Sequence, residues 1–340
     1  MTMIETTNRP EGLQAIDREM ARQHADAIAS FRSSAEVAGK AAASLKRTGK
    51  LLLLGMGGSH AVGRAVEPLY RALGIDAIAV PLSEQLSAPL SLEGRTVFIT
   101  SQSGESAEVL RWFAETGGNA DTFGFTLESG SFLGRSASCL VGAGGTEQAF
   151  AATRSLTISF ALHLAIFAAL GEDMSTALAA LETPLAPSID EAVATLSDVQ
   201  SVVTSGRRLQ GMAEAIALGF AELSRIPSFS LEGGQLRHGP MEMLSPEMGV
   251  ILFRGDDETA DLVTAMAVSV AGTGAKLVMF DCFGRPPVAG ASTIAFPASN
   301  GLAAIFAMLP TAQRLMIAFA EARVPDAGTP VRSTKITRSE

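Results

Sequence analysis

Four places in the sequence hold residue types that could do chemistry. The first is Ile99-Thr100-Ser101-Gln102-Ser103-Gly104-Glu105-Ser106, where the apolar run Thr96 to Ile99 passes into a helical pattern, Ala107 to Phe113. At such a junction backbone N–H groups lie unpaired and the helix dipole favours an anion. Short hydroxyl side chains add donors without crowding a phosphate, and Gly104 lets the backbone turn close to it. Serine is also a favoured helix cap, so the spacing alone leaves a Ser-rich cap and an anion cradle both open. The second place is Glu222, at the end of a helical pattern over 209–223 and preceded by Ala215-Ile216-Ala217-Leu218-Gly219-Phe220-Ala221. A carboxylate in apolar surroundings has a raised pKa and suits proton transfer at carbon, whereas a solvated helix-end glutamate would do nothing of the kind. Glu214 on the same pattern is a less confined candidate. The third is His238, in Gly233-Gly234-Gln235-Leu236-Arg237-His238-Gly239-Pro240, where a constrained loop could hold an imidazole for proton shuttling or merely expose it. The fourth is Lys335, which in its polar tail reads by itself as an ordinary solvated lysine.

The elements that must position these residues follow from periodicity. Leu51 to Leu54 is a continuous apolar run, as in a strand buried on both faces, and it ends in Gly55-Met56-Gly57-Gly58-Ser59-His60 before a helix over 61–73. The glycine spacing is not that of a dinucleotide fingerprint, and a glycine turn with Ser59 at a helix start serves a phosphosugar equally well. Further strands are expected at 75–81, 96–100, 121–126 and 138–141, then a helix over 155–170. A second set has strands at 199–204, 249–253, 275–280 and 292–296, the helix 209–223, and a last helix near 301–322 that Pro310 should kink or break. This rhythm predicts an α/β protein with doubly wound, mainly parallel sheets flanked by helices in three layers, and ligands at the carboxyl ends of the strands. Gly12 to Leu45 carry a helical pattern broken by Gly39 and then Gly49, and residues 1–10 are expected to fray. The boundaries are an N-terminal helical arm over 1–45, a first domain over 46–183, a second over 188–325 and a tail over 326–340. The junction falls in Gly171 to Pro187.

Composition narrows the function classes. The 340 residues are 47% hydrophobic and 6% aromatic, with mean hydropathy +0.27 and a formal net charge of −9. Such a chain can bury a large core, and without a basic stripe nucleic acid is not an expected partner. Cys139 and Cys282 lie far apart in apolar contexts and read as buried thiols of a reduced, cytoplasmic protein. Leu156 to Leu170 is too short to span a membrane comfortably, so no membrane association is expected. The histidines His24, His60 and His163 have no metal-ligand spacing among them or with His238, so neither a metal nor another cofactor is expected.

Taken together, these segments resemble the SIS (sugar isomerase) family, specifically the isomerase half of glucosamine-6-phosphate synthase and stand-alone glucosamine-6-phosphate deaminases. The resemblance runs from about residue 45 to the C-terminus. It rests on Gly55 to Ser59, Ser83-Glu84, Ser101 to Ser106, Glu147 with Ala152-Thr153-Arg154, Gly234 to Pro240, and Lys335-Ile336-Thr337. It implies two SIS domains and a homodimer with shared active sites. It implies that Ser101, Gln102, Ser103 and Ser106 hold the sugar phosphate, with Ser59, Gly57 and Ala152 at the sugar. It also implies that Glu222 shuttles the proton, that His238 opens the sugar ring from the neighbouring subunit, and that Lys335 closes over the open-chain sugar. Ala215 and Gly219 stand where the synthases carry a Glu and a Lys, and Ala152 and Arg154 replace a Ser and a Lys. No N-terminal glutaminase segment or leading cysteine is present in the sequence, so ammonia release is expected rather than glutamine-dependent synthesis. The activity implied is conversion of glucosamine 6-phosphate to fructose 6-phosphate and ammonia. The alternatives are a fructosamine-6-phosphate deglycase, a ketose/aldose phosphate isomerase, or a non-catalytic sugar-phosphate sensor.

Overall fold

The computed structural model describes residues 9–338. Most of the segment 1–10, expected to fray, and the last two residues of the tail 326–340 lie outside the described residues. Continuous apolar runs become strands buried on both faces, and all strand pairs are parallel. The first half runs α1 (Glu11–Ser33), α2 (Ala35–Thr48), β1 (Lys50–Gly55), α3 (Gly58–Ala72), β2 (Asp76–Pro81), α4 (Leu82–Ser87), β3 (Thr96–Thr100), α5 (Ala107–Thr116), β4 (Thr122–Thr126), α6 (Phe132–Ser136), β5 (Ser138–Val141), α7 (Arg154–Leu170) and α8 (Ser175–Glu182). The second runs α9 (Asp190–Thr195), β6 (Ser201–Ser205), α10 (Gln210–Ser224), β7 (Ser228–Ser230), α11 (Gly233–Arg237), a 3-10 turn (Pro240–Met243), β8 (Met248–Arg254), α12 (Ala260–Ala271), β9 (Lys276–Asp281), β10 (Ala291–Ala295) and α13 (Gly301–Glu321).

The two sheets have the strand orders β2-β1-β3-β4-β5 and β7-β6-β8-β9-β10, which are the same order one half apart. In each, the chain reverses direction of winding beside the first strand, and that switch point leaves a crevice at the strands' carboxyl ends. One apolar core runs through both halves, joining Leu51 and Phe98 to Ile251 and Phe280 by way of α7, α10 and α13. The approach of α10 to α3 is so close that a Cβ at Gly211 would lie 2.5 Å from the carbonyl oxygen of Ala61. Only glycine permits that crossing, which brings the second half's α10 beside the first half's strand ends.

Several local expectations are corrected. The N-terminal helices break at Ser34, whose Oγ bonds back to Ser30, while Gly39 lies inside α2 with nothing within 4 Å of its would-be Cβ. Gly49 instead closes α2 in a left-handed C-cap. The short edge strand β7 and helix α8, which lies inside the expected junction, had no strong periodic signal. Pro310 does not end α13, which runs on through it. α13 is the described helix long and apolar enough to cross a membrane, but 83% of its apolar window is buried inside the fold, as for a core helix.

Candidate active site

The strands β1 and β3 end side by side at the switch point of the first sheet, and a cleft of about 400 Å3 opens there. The loop from Ser101 to Ser106 forms one wall. Ser101 N–H extends the β4 pairing to the Phe125 carbonyl (2.9 Å), and Gly104 turns the loop with φ +64°. A Cβ at Gly104 would lie 2.7 Å from the Cβ of Ser131, so this turn requires glycine. Glu105 locks the loop from behind by accepting from Phe132 N–H at 2.7 Å. Ser106 occupies the N-cap position of α5, yet its side chain makes no capping hydrogen bond. Ser101, Gln102, Ser103 and Ser106 all line the cleft, so of the two readings of this stretch a simple serine cap accounts for less of the geometry.

The opposite wall comes from Gly57 to Ser59 at the start of α3, with Ala152 and Phe150 beyond it. Gly57 has φ +52°. Behind Ser155 and Lys335, which line the cleft, lies a residue to which its local sequence gives no role. Glu147 is fully buried, and its Oε1 accepts from Thr153 N–H (2.9 Å), Ser155 N–H (3.2 Å) and Thr153 Oγ1 (3.2 Å). Its Oε2 accepts from Ser155 Oγ (2.6 Å) and from Lys335 Nζ (3.1 Å). Burial pushes this carboxyl upward, but the Lys335 cation and these donors outweigh it and hold the pKa below its ordinary value. The signal that could have found it was a Gly-Gly-Thr-Glu turn after a strand, which alone says little.

The tail residues Ser333 to Thr337 cross the cleft as a strap. Lys335 is pinned by Glu147 and by the Phe150 carbonyl (3.2 Å), and the Thr337 carbonyl accepts from Ala107 N–H at 3.1 Å. Lys335 is therefore not the solvated lysine its local sequence suggests. Arg154, fully buried, braces the same region from behind. It reaches Glu19 (2.6 Å) and Asp26 (3.1 Å) on α1 and the carbonyls of Ala143 (3.1 Å) and Gly145 (2.7 Å).

Glu222 enters this cleft from the other half, on the last turn of α10, with Leu218 one turn before it. Burial raises its carboxyl to about 7; Lys335 pulls it back and Glu147 pushes it further up. Of α10, only Leu218 and Glu222 line the cleft. Gly219 is turned away under Met316, whose sulfur a Cβ would strike, and Ala215 is buried. Glu214 is also raised by burial, but it lies outside the cleft, 3.9 Å from Arg64. Glu108, passed over in the sequence reading, is 7% exposed in the cleft wall and its Oε2 has no partner.

His238 is not brought to this cleft by its own chain. It caps the C-terminus of α11 and is exposed. His163 is a core residue bonded to Tyr70 (3.0 Å), and burial with the nearby Arg64 holds His60 down at about 4. The cysteines are free, and burial moves both thiols up to about 11. Among the described residues no group of His, Cys, Asp and Glu has metal-binding geometry.

What the site can do is hold an anion with hydroxyls and N–H groups at one end and move a proton with a near-neutral carboxyl at the other. Comparison with known proteins agrees in kind. The SIS domain family matches residues 195–320. The isomerizing glutamine–fructose-6-phosphate aminotransferase of Aeropyrum pernix is 27% identical over 326 residues, covering 88% of this chain and 53% of that enzyme. The chain spans between a third and about half the length of the curated relatives it matches. The C-terminal domain of glucosamine-fructose-6-phosphate aminotransferase from Francisella tularensis superposes with TM-score 0.79 at 18% identity, covering 93% of this chain and 98% of that one. A glucosamine-6-phosphate deaminase from Thermotoga maritima has the same fold, with TM-score 0.67, 19% identity and coverage of 92% and 99%.

Proposed function

We propose that this chain, a SIS-domain protein homologous to the isomerase domain of glucosamine-fructose-6-phosphate aminotransferase, is a phosphosugar isomerase that deaminates glucosamine 6-phosphate to fructose 6-phosphate and ammonia. The observation that carries this is Glu222, a carboxyl raised to about 7 in the same cleft as the hydroxyl-rich loop after β3. A proton-transfer group works best when its pKa lies near the operating pH, because both protonation states are then available within one turnover. The loop, with Ser101, Gln102, Ser103 and Ser106, would anchor the phosphate, and Ser59, Gly57 and Ala152 would flank the sugar. Binding energy from the remote phosphate then orients the reacting carbons.

In the ring-opened sugar, Glu222 takes the proton from C2, giving the enolamine, and returns it to C1. A proton given up by the C2 ammonium passes to the C1 oxygen, so carbon 1 becomes a CH2OH group and C2 an iminium. Water adds to that iminium, and the C–N bond breaks to leave the ketone and ammonia. Lys335, held by Glu147, closes the strap over the open chain and supplies a cation beside the developing enolate oxygen. His238 would open the ring in a neighbouring subunit of a homodimer, which fits its exposed position outside its own chain's cleft. Both halves would be SIS domains, over 46–183 and 188–325; their shared strand order favours this.

The test is to incubate the full chain with glucosamine 6-phosphate and measure ammonia and fructose 6-phosphate together. Equal amounts of both are expected. No turnover there, with turnover of a fructosamine 6-phosphate or of an unaminated aldose phosphate, replaces the deamination by those chemistries on the same proton shuttle. No turnover of any, with tight binding, makes the protein a sensor.

A further inference from the structure

A second cavity, of about 520 Å3, lies between α1, α13 and the segment Pro184–Ile189 that joins the halves. Met20, Ile189, Pro310 and Ile317 supply its apolar walls. Cavities of several hundred cubic ångström with a few convergent polar groups are the usual form of small-molecule sites. Here three such groups converge. Thr311 is fully buried and its Oγ1 has no hydrogen-bond partner. The Nε2 of His24, also shut away from solvent, has none either. Arg314 donates one hydrogen bond, to the Pro187 carbonyl at 3.1 Å, and pairs with no carboxylate among the described residues. Arg9, at the same cavity, is by contrast already matched by Asp17 and Glu321. A buried hydroxyl or ring nitrogen left unpaired loses its water without gaining a partner, so such groups converging on one cavity need a reason.

We propose that this cavity is an effector site for a small organic acid with an apolar body. Arg314 takes its carboxylate, and Thr311 and His24 take a hydroxyl or carbonyl on the adjoining carbon. Burial lowers the pKa of His24, so its ring is neutral and Nε2 can accept or donate. The walls of the cavity are wired to the first cleft. Gln23, which lines the cavity, accepts from Thr157 Oγ1 at 3.0 Å. Gln313, next along α13, donates to the Thr153 carbonyl at 3.1 Å, and Thr153 N–H holds Glu147, the anchor of Lys335. The same α1 carries Glu19 and Asp26, which hold Arg154. An acid clamped between α1 and α13 therefore bears on the strap over the sugar site. By linkage, acid and sugar phosphate must change each other's affinity by the same factor; only this coupling rests on the function proposed above.

The experiment is saturation-transfer NMR on the full chain with mandelate, 3-phenyllactate and phenylpyruvate, each with a hydroxyl or carbonyl beside the carboxylate, and with their primary amides as controls. The acids are expected to bind at least tenfold more tightly than the amides. Arg314→Leu should bring the acids down to the level of the amides, and Ala186→Trp, at the exposed mouth of the cavity, should abolish binding of both. Far-UV circular dichroism of each variant should match the parent. Saturating glucose 6-phosphate should leave the acids bound and shift their Kd at least twofold. Absence of transfer from all three acids, or acid binding that survives both substitutions unchanged, overturns the site. An unshifted Kd while glucose 6-phosphate does bind overturns the coupling. Failure of glucose 6-phosphate to bind counts against the sugar-phosphate reading of the first cleft and leaves the cavity result standing.

Discussion

Replacing Glu222 by glutamine should stabilise the protein at neutral pH while destroying its activity. The carboxyl has an ordinary value of 4.5 and is raised to about 7 in the fold. The folded chain therefore binds this proton more tightly than the unfolded chain does. Below pH 4.5 both states are protonated and there is no penalty. Between 4.5 and about 7 the unfolded chain ionises first, and stability is lost as pH rises; above about 7 the loss is complete. At 1.36 kcal/mol per pH unit the full loss is about 3 kcal/mol. Glutamine has the same shape and never ionises, so the variant escapes it. Urea unfolding of parent and Glu222→Gln at pH 5 and pH 8 should show the variant gaining about 2.5 kcal/mol on the parent between the two pH values, since a small part of the loss is already present at pH 5. Turnover of the preferred phosphosugar should fall by about 10³-fold, as expected for loss of a proton-transfer group. A stability difference that does not change with pH would refute the burial argument, and full activity would refute the role in proton transfer.

Lys335→Met removes the cation that pulls the Glu222 carboxyl down and that balances Glu147. The pH at which proton transfer reaches half-maximal rate should move above 7, and stability at pH 7 should drop by about 3 kcal/mol, the low end for breaking a buried ion pair; an unmoved pH–rate profile counts against the strap's role. Gly211→Ala places a Cβ against the backbone of Ala61 and Ala65, which cannot yield, so a loss of about 3 kcal/mol or more is expected in thermal unfolding. His238→Ala should lower turnover by about 10²-fold. Mixing it with Glu222→Gln under conditions that exchange subunits should restore partial activity if the site is shared, and no recovery argues that each chain works alone.

Much of the framework is legible in the residues. Leu51 to Leu54, Thr96 to Thr100 and the apolar run at 249–253 can only be interior strands, because an uninterrupted apolar run of that length needs both faces covered. The glycine turns after β1 and β3 announce close backbone approach, and the structure uses both. The edge strand β7 escaped notice because Ser228–Ser230 is three residues long and has little side-chain burial to pattern it. The helix break at Ser34 was misplaced onto Gly39 because glycine's propensity cost on an exposed face is small and tertiary packing overrides it.

The sequence by itself determined the α/β rhythm, the order of strands and turns, and a short set of residues able to hold an anion or move a proton. Tertiary structure alone decided which of them act together. Glu147 and Lys335 are 188 positions apart, and neither looks unusual among its neighbours until the fold buries one and straps the other over it. Glu222 is a helix-end carboxylate in sequence. Its pKa near 7 exists only because α10 crosses α3 closely enough, at Gly211, to leave that carboxyl inside the other half's cleft. Local propensity acts over a turn or two of chain, whereas desolvation and charge pairing depend on whatever the fold brings within a few ångström. His238 marks the same boundary from the other side, since its own chain leaves it facing solvent.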